Sequence, residues 1–264
     1  MQSPSLHVLI PMFELHTWKT SLSCTEREIN HMVMIWQGVL AALHLLITGD
    51  PEVMGITLLT LEISGTGTLI SLLIGVPFGT LLALKPFPGR RFVLSIVNTG
   101  MGLPPVVVGL WVSIFLWRSG PLGFLNIMYT PTAIIIAQAI IASPIIAALT
   151  CAALQQTDPK LRLQIRALGA TRFQYTWLLL KEVRFSLFAA IIAGFGAIVS
   201  EIGASMAVGG NIQGQTRVLT TATVLEVSKG NFDIAIALSI ILCLLAYGAT
   251  LGLTLLQQKQ QGGP

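Results

Sequence analysis

Long apolar runs almost free of charge constrain this chain more than any other feature. A helix needs roughly 20 mostly apolar residues to cross a bilayer, because no water is present there to satisfy open backbone groups. Five stretches reach that length: about Ile56 to Leu84, Phe92–Trp117, Pro131–Leu154, Phe185–Val208 and Ile234–Leu256. Val33–Ile47 is apolar but shorter, about 15 residues, and reads as an interfacial or partly buried helix rather than a sixth span. Composition agrees. Of 264 residues, 53% are apolar and 10% charged, against about 25% charged in a soluble domain. Mean hydropathy is +0.79. That excludes a disordered chain, a coiled coil and a disulfide scaffold, and argues against a cytosolic enzyme. The expected fold class is all-α integral membrane, with five core transmembrane helices and an N-terminal amphipathic helix.

Orientation follows from the basic residues. Lys85, Arg90 and Arg91 lie between spans one and two. Lys160, Arg162, Arg166, Arg172, Lys181 and Arg184 lie between three and four, and Lys259 lies in the tail. The opposite set is Lys19, Arg27, Arg118, Arg217 and Lys229. The positive-inside rule places the larger set in the cytoplasm, with the N-terminal segment outside and the C-terminus inside. A sixth span would move the N-terminus across. The net charge of +4 thus reflects cytoplasmic loops, not a nucleic-acid partner. Cys24, Cys151 and Cys243 are odd in number and widely spaced, so they imply neither a disulfide framework nor a metal site. All four histidines precede span one, which argues against a metal or proton-relay cluster inside the membrane.

Residues 1–31, with His7, His16, His31, Glu14, Glu26 and Glu28, lack the basic-then-apolar order of a signal peptide. Met32 and Met34 stand just before the apolar helix. The expectation is a functional start there, with the leader untranslated or a disordered tail. The chain then divides into an amphipathic helix at 32–54, a transmembrane domain at 55–257 and a tail at 258–264. The domain contains a long cytoplasmic loop at 155–184.

That loop is the most informative stretch. Asp158 is a good N-cap and Pro159 fits the first helical position. Leu161, Ile165 and Leu168 recur at helical spacing beside Arg162 and Arg166, Gly169 breaks the run, and Phe173, Trp177 and Leu180 continue a second helical face. A basic amphipathic helix of this kind either lies on lipid or docks into a protein groove. Periodicity does not choose between them.

Arg166-Ala-Leu-Gly-Ala-Thr171 resembles the core of the "EAA" loop of ABC-transporter permeases, R-x-L-G-A-[ST]. The match is partial: Leu163, Gln164 and Ile165 stand where Glu-Ala-Ala is expected, and Glu182 where a proline is expected. The segments Met101–Leu110, Ser200–Arg217, Thr220–Asp233 and Gly49–Val53 are similar to permeases for tetrahedral oxyanions, most closely the tungstate type. The likeness runs from about Met34 to Gln257. It implies a type I import permease in the inner membrane, dimeric with a second copy of itself. It also implies a cytoplasmic ABC ATPase dimer that binds ATP and Mg, and an extracytoplasmic substrate-binding protein. The chain has no GxxxxGK[ST] run, so it is not read as the hydrolase, and no cofactor is expected on it. On this resemblance Arg162, Arg166, Leu168, Gly169, Ala170 and Thr171 form the ATPase-coupling loop.

The translocation path is expected around Pro104, Pro105, Glu201, Asn211, Thr216 and Arg217. An ionisable residue within a span is a functional-site hypothesis by default. Glu201 falls roughly 24 Å along span four, where it either gates and holds structure or contacts substrate. A bare carboxylate would repel an anion, which favours the former. Pro104-Pro105, Pro77 and Pro144 each remove a backbone donor and are expected to kink their helices. Asn98 and Gln138 read as helix–helix hydrogen-bond partners, and Glu62 as interfacial. Gly209–Arg217 is a polar external loop that either attracts an oxyanion or connects spans and touches the binding protein. Gly75–Gly79 and Gly248–Gly252 have GxxxG spacing without indicating which helices pair.

The function expected is a permease for a tetrahedral oxyanion, tungstate first and molybdate or sulfate as alternatives. An ion-driven secondary transporter is the rival from another class. It would show internal repeats and paired intramembrane charges; the sequence shows one deep carboxylate and no repeat.

Overall fold

The computed structural model describes residue 33 and residues 35–261. The leader and the proposed starts Met32 and Met34 lie outside the described residues. The helices are α1 Ile35–Thr48, α2 Pro51–Leu84, α3 Arg90–Met101, α4 Pro105–Leu116, α5 Pro131–Gln155, α6 Pro159–Ala167, α7 Arg172–Glu182, α8 Arg184–Val199, α9 Gly203–Gly209, α10 Leu219–Lys229 and α11 Phe232–Gln261. Three of them, α2, α5 and α11, are single helices long and apolar enough to span.

The other two expected spans are broken. Span two is α3 plus α4, bent by 104°. Gly102, Leu103 and Pro104 interrupt it, and Pro104 is extended at φ −61°, ψ 125°. A proline forces its predecessor toward extended backbone, and two in series cannot continue a helix. Span four, expected to reach Val208, ends at Val199. Residues 200–202 break it, and α9 follows as a separate short helix. At its other end α8 is bent by 69° from α7. By contrast Pro77 and Pro144 sit inside α2 and α5, each of which runs through as one helix.

Helices α2 and α5 run parallel, and small residues set their approach. A Cβ on Gly75 would lie 2.9 Å from Ile146 Cβ, and one on Gly79 would meet the Ala147 carbonyl and lie 2.9 Å from Thr150 Cβ. Ile146 also reaches Gly194 of α8, where a Cβ would be 3.0 Å from its Cδ1. The Gly75–Gly79 pair thus marks a true helix seam. Among the described residues nothing lies within 4 Å of a Cβ on Gly248 or Gly252.

The bundle has two chemically distinct ends. Clusters around Leu82, Cys151, Leu154, Ile165 and Leu179 hold one end. Clusters around Val53, Ile63, Ile134, Val208 and Leu219 hold the other. Lys85, Arg90, Arg91, Lys160, Arg162, Arg166, Arg172, Lys181 and Arg184 all belong to elements at the first end, and Arg118, Arg217 and Lys229 to the second. We call these the basic end and the far end. Helix α1 lies at the far end, with Ala42 buried, Gly38 against Ile236 and Leu45 in the core shared with α10 and α11. It is partly buried, as its length suggested. Glu62 is exposed on α2, 22 residues from Leu84, or roughly 33 Å. That matches the far boundary of a hydrocarbon layer about 30 Å thick.

Candidate translocation path and coupling turn

At the basic end the chain leaves α5 and turns back through α6 and α7. The Asp158 side chain accepts a hydrogen bond from Lys160 N–H at 2.8 Å, and Pro159 opens α6. Gly169 has φ +78°, a region open to glycine and costly for other residues. Thr171 and Gln174 then close a reciprocal capping box: Gln174 N–H donates to Thr171 Oγ1 at 3.3 Å, and Thr171 N–H to Gln174 Oε1 at 2.9 Å. The helix–glycine–helix reading of the sequence is what folds.

The apolar residues of the turn divide between two faces. Ile165, Leu154, Leu179 and Val183 form a small core beneath the turn, with Leu161, Ala170, Tyr175 and Leu180 against it. Leu168 and Phe173, which the sequence places in the same helical series, are 87% and 80% exposed. Trp177 and Leu163 are also exposed. Leu168 caps α6 where the chain reverses, so it leaves the helical register before it can turn inward. Two arginines hold the turn: the half-buried Arg162 donates to the Leu154 carbonyl, and the exposed Arg166 guanidinium lies 4.9 Å from the centre of the Tyr175 ring. The result is a rigid, basic turn presenting an outward apolar face.

Deeper in the bundle the two breaks come together. A Cβ on Gly203 would collide with Val106, and one on Gly109 would lie 2.5 Å from Ala204 Cα, so α4 and α9 pack backbone to backbone. Ser113 Oγ donates to the Ala207 carbonyl at 3.0 Å across this seam. Pro104 is exposed at the bend and Pro105 half-buried. Glu201 is only 5% exposed. Its carboxylate accepts from Ala204 N–H (2.7 Å), Ser205 N–H (3.0 Å) and Ser205 Oγ (3.1 Å). Thr220 Oγ1 donates to its carbonyl at 3.1 Å. The carboxylate is therefore satisfied by the first turn of α9, and the backbone carbonyl of the same residue ties the break to α10.

The far-end loop is internally bonded. Thr216, fully buried, donates to the Gly209 carbonyl (2.6 Å) and accepts from Ile212 N–H (2.9 Å). Asn211, at φ +52°, donates to the Thr221 carbonyl at 3.4 Å, while its Oδ1 is buried and unpaired. Arg217 pairs with Glu52 at 3.6 Å, and Gln213 donates to the same Glu52 oxygen at 2.7 Å. Glu52 was not anticipated as a partner; 161 residues separate it from Gln213, and no local pattern links them. Tyr129 has φ +62°, its N–H donates to the Val208 carbonyl at 3.0 Å, and it lies against Gly210.

Two expectations about amides bonding helix to helix fail. Gln138 is buried against Gly67, and among the described residues its Oε1 accepts no hydrogen bond. Asn98 is exposed on α3 and bonds no neighbouring helix among the described residues.

The family profile described as "Binding-protein-dependent transport system inner membrane component" matches residues 75–260. The chain belongs to this family. It is an ABC-transporter permease subunit of the inner membrane. The "Tungstate uptake system permease protein TupB" of Peptoclostridium acidaminophilum is 36% identical over 228 residues, covering 86% of this chain and 100% of that protein. The "Probable anion ABC transporter permease protein" of Haloferax volcanii is 38% identical over 198 residues, covering 73% and 85%. In fold, a chain of a bacterial alginate ABC transporter in complex with its pentasaccharide-bound periplasmic protein superposes with TM-score 0.69 at 17% identity, covering 94% of this chain and 96% of that one. The type I importer fold therefore extends over nearly the whole chain, both helix breaks included.

Proposed function

We propose that the chain is the membrane-spanning subunit of an ATP-driven importer for a tetrahedral oxyanion, tungstate foremost. End-to-end similarity to a tungstate permease is the observation that carries the substrate. The outward apolar face on the α6–α7 turn supports the mechanism. Leu168, Phe173 and Trp177 give a partner ATPase an apolar foothold, and Arg162, Arg166 and the capped ends keep the turn from yielding when pushed. The basic end faces the cytoplasm by the positive-inside rule, and five crossings leave the C-terminus there too. ATP and Mg²⁺ bind to the partner ATPase, and closure of its dimer moves the turn.

A second copy of the chain pairs along the exposed apolar stripe of α4, which carries Val106, Leu110 and Ile114. The translocation path runs at that axis, past the Pro104–Pro105 bend. Glu201 acts as a brace for α9 rather than as a substrate ligand, since its oxygens are already occupied. An extracytoplasmic binding protein delivers the anion to the far end and supplies most of the affinity. The test is uptake into vesicles holding the permease with its ATPase and binding protein. ATP-dependent tungstate entry, outcompeting molybdate and sulfate, is the expected result. Sulfate or molybdate entry in preference to tungstate would refute the substrate, and entry without ATP would refute the class.

A further inference from the structure

At the far end of the bundle, α4, α5 and the connection between them enclose a groove of about 360 Å³. Trp111, Phe115, Leu122, Leu125, Ile136 and Ile140 are among its walls, and every lining side chain is apolar. It is lined by Leu103, just before α4, and by α4 as far as Leu116, a helix roughly 18 Å long. Ile140, its deepest point on α5, lies nine residues from Pro131, or roughly 14 Å. One leaflet of hydrocarbon is roughly 15 Å deep. The groove thus has the depth of a leaflet and opens at the side of the bundle.

At Leu116 the groove meets a second cleft of about 430 Å³, lined by Trp117, Arg118, Asn126 and Tyr129. The Trp117 and Tyr129 rings meet edge to face at 6.3 Å, as aromatic side chains do at a membrane boundary. Arg118 is the only charged residue between Arg91 and Asp158. It is exposed, and among the described residues it has neither an ion pair nor a hydrogen bond. Phe124, on the connecting turn beside it, is 75% exposed, an apolar side chain suited to a membrane boundary.

We propose that this continuous surface binds one phospholipid, with an acyl chain along the apolar groove and the phosphate on Arg118. The apolar walls suit a hydrocarbon chain and nothing polar, and the guanidinium at the mouth supplies the complementary charge for a phosphate diester. Neither part alone specifies an amphiphile; their junction at Leu116 does. The lipid would wedge against α4 on the face opposite its seam with α9, and so brace the half-helix beyond the Pro104 bend. Only the naming of the leaflet, as the outer one, rests on the orientation proposed above; the binding itself does not.

The test titrates phosphatidylglycerol onto the full-length permease in detergent and counts bound lipid by native mass spectrometry. One lipid is expected to bind above the nonspecific background. Arg118→Ala should weaken it roughly tenfold, the worth of a charge-assisted hydrogen bond. Ile140→Trp, which fills the groove and leaves Arg118 in place, should do the same. Should Ile140→Trp fail to fold, phosphatidylglycerol brominated on its acyl chains gives a second readout. It should quench tryptophan fluorescence in the unaltered protein, and Trp111→Phe should remove that component. Unchanged lipid retention in Arg118→Ala would overturn the proposal, as would absence of the Trp111 component. Full displacement by inorganic phosphate would identify a free-anion site instead. A disulfide between two copies carrying Leu125→Cys would show that a second copy covers the groove.

Discussion

Removing the Glu201 carboxylate should destabilise the membrane domain by an amount the geometry sets. In Glu201→Ala the Ala204 N–H and Ser205 N–H lose their acceptor at a site only 5% exposed. Each unsatisfied buried donor costs about 1–3 kcal/mol, so the pair costs about 2–6 kcal/mol before any cavity forms. In Glu201→Gln the volume stays and one oxygen still accepts from Ala204, but the amide nitrogen cannot accept from Ser205 N–H. That leaves one donor stranded, at about 1–3 kcal/mol. The Ser205 hydroxyl turns to suit the new group and adds little. The assay is equilibrium unfolding in mixed micelles, with tungstate uptake measured on the same variants reconstituted into vesicles with the ATPase and binding protein. The expected order of stability is Glu above Gln above Ala, with uptake in the Gln variant falling no further than its folded fraction. Both variants unfolding within about 0.5 kcal/mol of the parent, the range of an inconsequential surface change, would refute the bracing role. So would a fully stable Gln variant that had lost uptake, which would make the charge itself the functional element.

Three further outcomes follow from the same structure. Gly79→Val forces a side chain into the Ala147 carbonyl and should cost about 1–3 kcal/mol by overpacking, read as a lower melting temperature, whereas Gly248→Val should be neutral within the isolated subunit. Thr171→Ala removes the cap on α7 and should cost about 1 kcal/mol, seen as faster hydrogen exchange over Arg172–Gln174 with the transmembrane helices unchanged. Hydrogen bonds from Lys229 and then Asn231 hold the Glu226 carboxyl below the usual carboxylate range. A depressed pKa adds stability that is complete above the unfolded value of roughly 4.3 and is lost as pH falls through the folded one. Acidification below about pH 4 should therefore loosen the end of α10, and Glu226→Gln should abolish that step in hydrogen exchange.

Much of this molecule was readable from its residues. Uninterrupted runs such as Pro131–Leu154 became single helices, and Asp158, Pro159 and Gly169 marked the turn almost residue by residue, because caps and glycines act locally. The breaks were not readable to the same degree. Hydropathy is blind to backbone direction, so Phe92–Trp117 and Phe185–Val208 looked as continuous as the others. Pro104-Pro105 gave a warning for the first; Glu201, a polar residue in an apolar run, gave one for the second. Pro77 and Pro144 show why neither warning sufficed alone: a single proline in a long, well-packed helix is tolerated. Pairings such as Arg217 with Glu52 depend on tertiary proximity that no local pattern encodes. Periodicity reports that a stripe is apolar, not what covers it, so it did not separate the buried Ile165 from the exposed Leu168 and Phe173.

The account rests most heavily on the α6–α7 turn as the place where ATP hydrolysis becomes movement. Gly169→Val tests it directly, since φ +78° is costly for a β-branched residue while nothing among the described residues lies within 4 Å of the added Cβ. The measurement is ATP hydrolysis and tungstate uptake in the same vesicles, with permease, ATPase and binding protein reconstituted together. The predicted result is a permease that still inserts and assembles, with uptake lost and hydrolysis no longer stimulated by loaded binding protein. Uptake and stimulated hydrolysis at the level of the unaltered protein would contradict the coupling role of the turn.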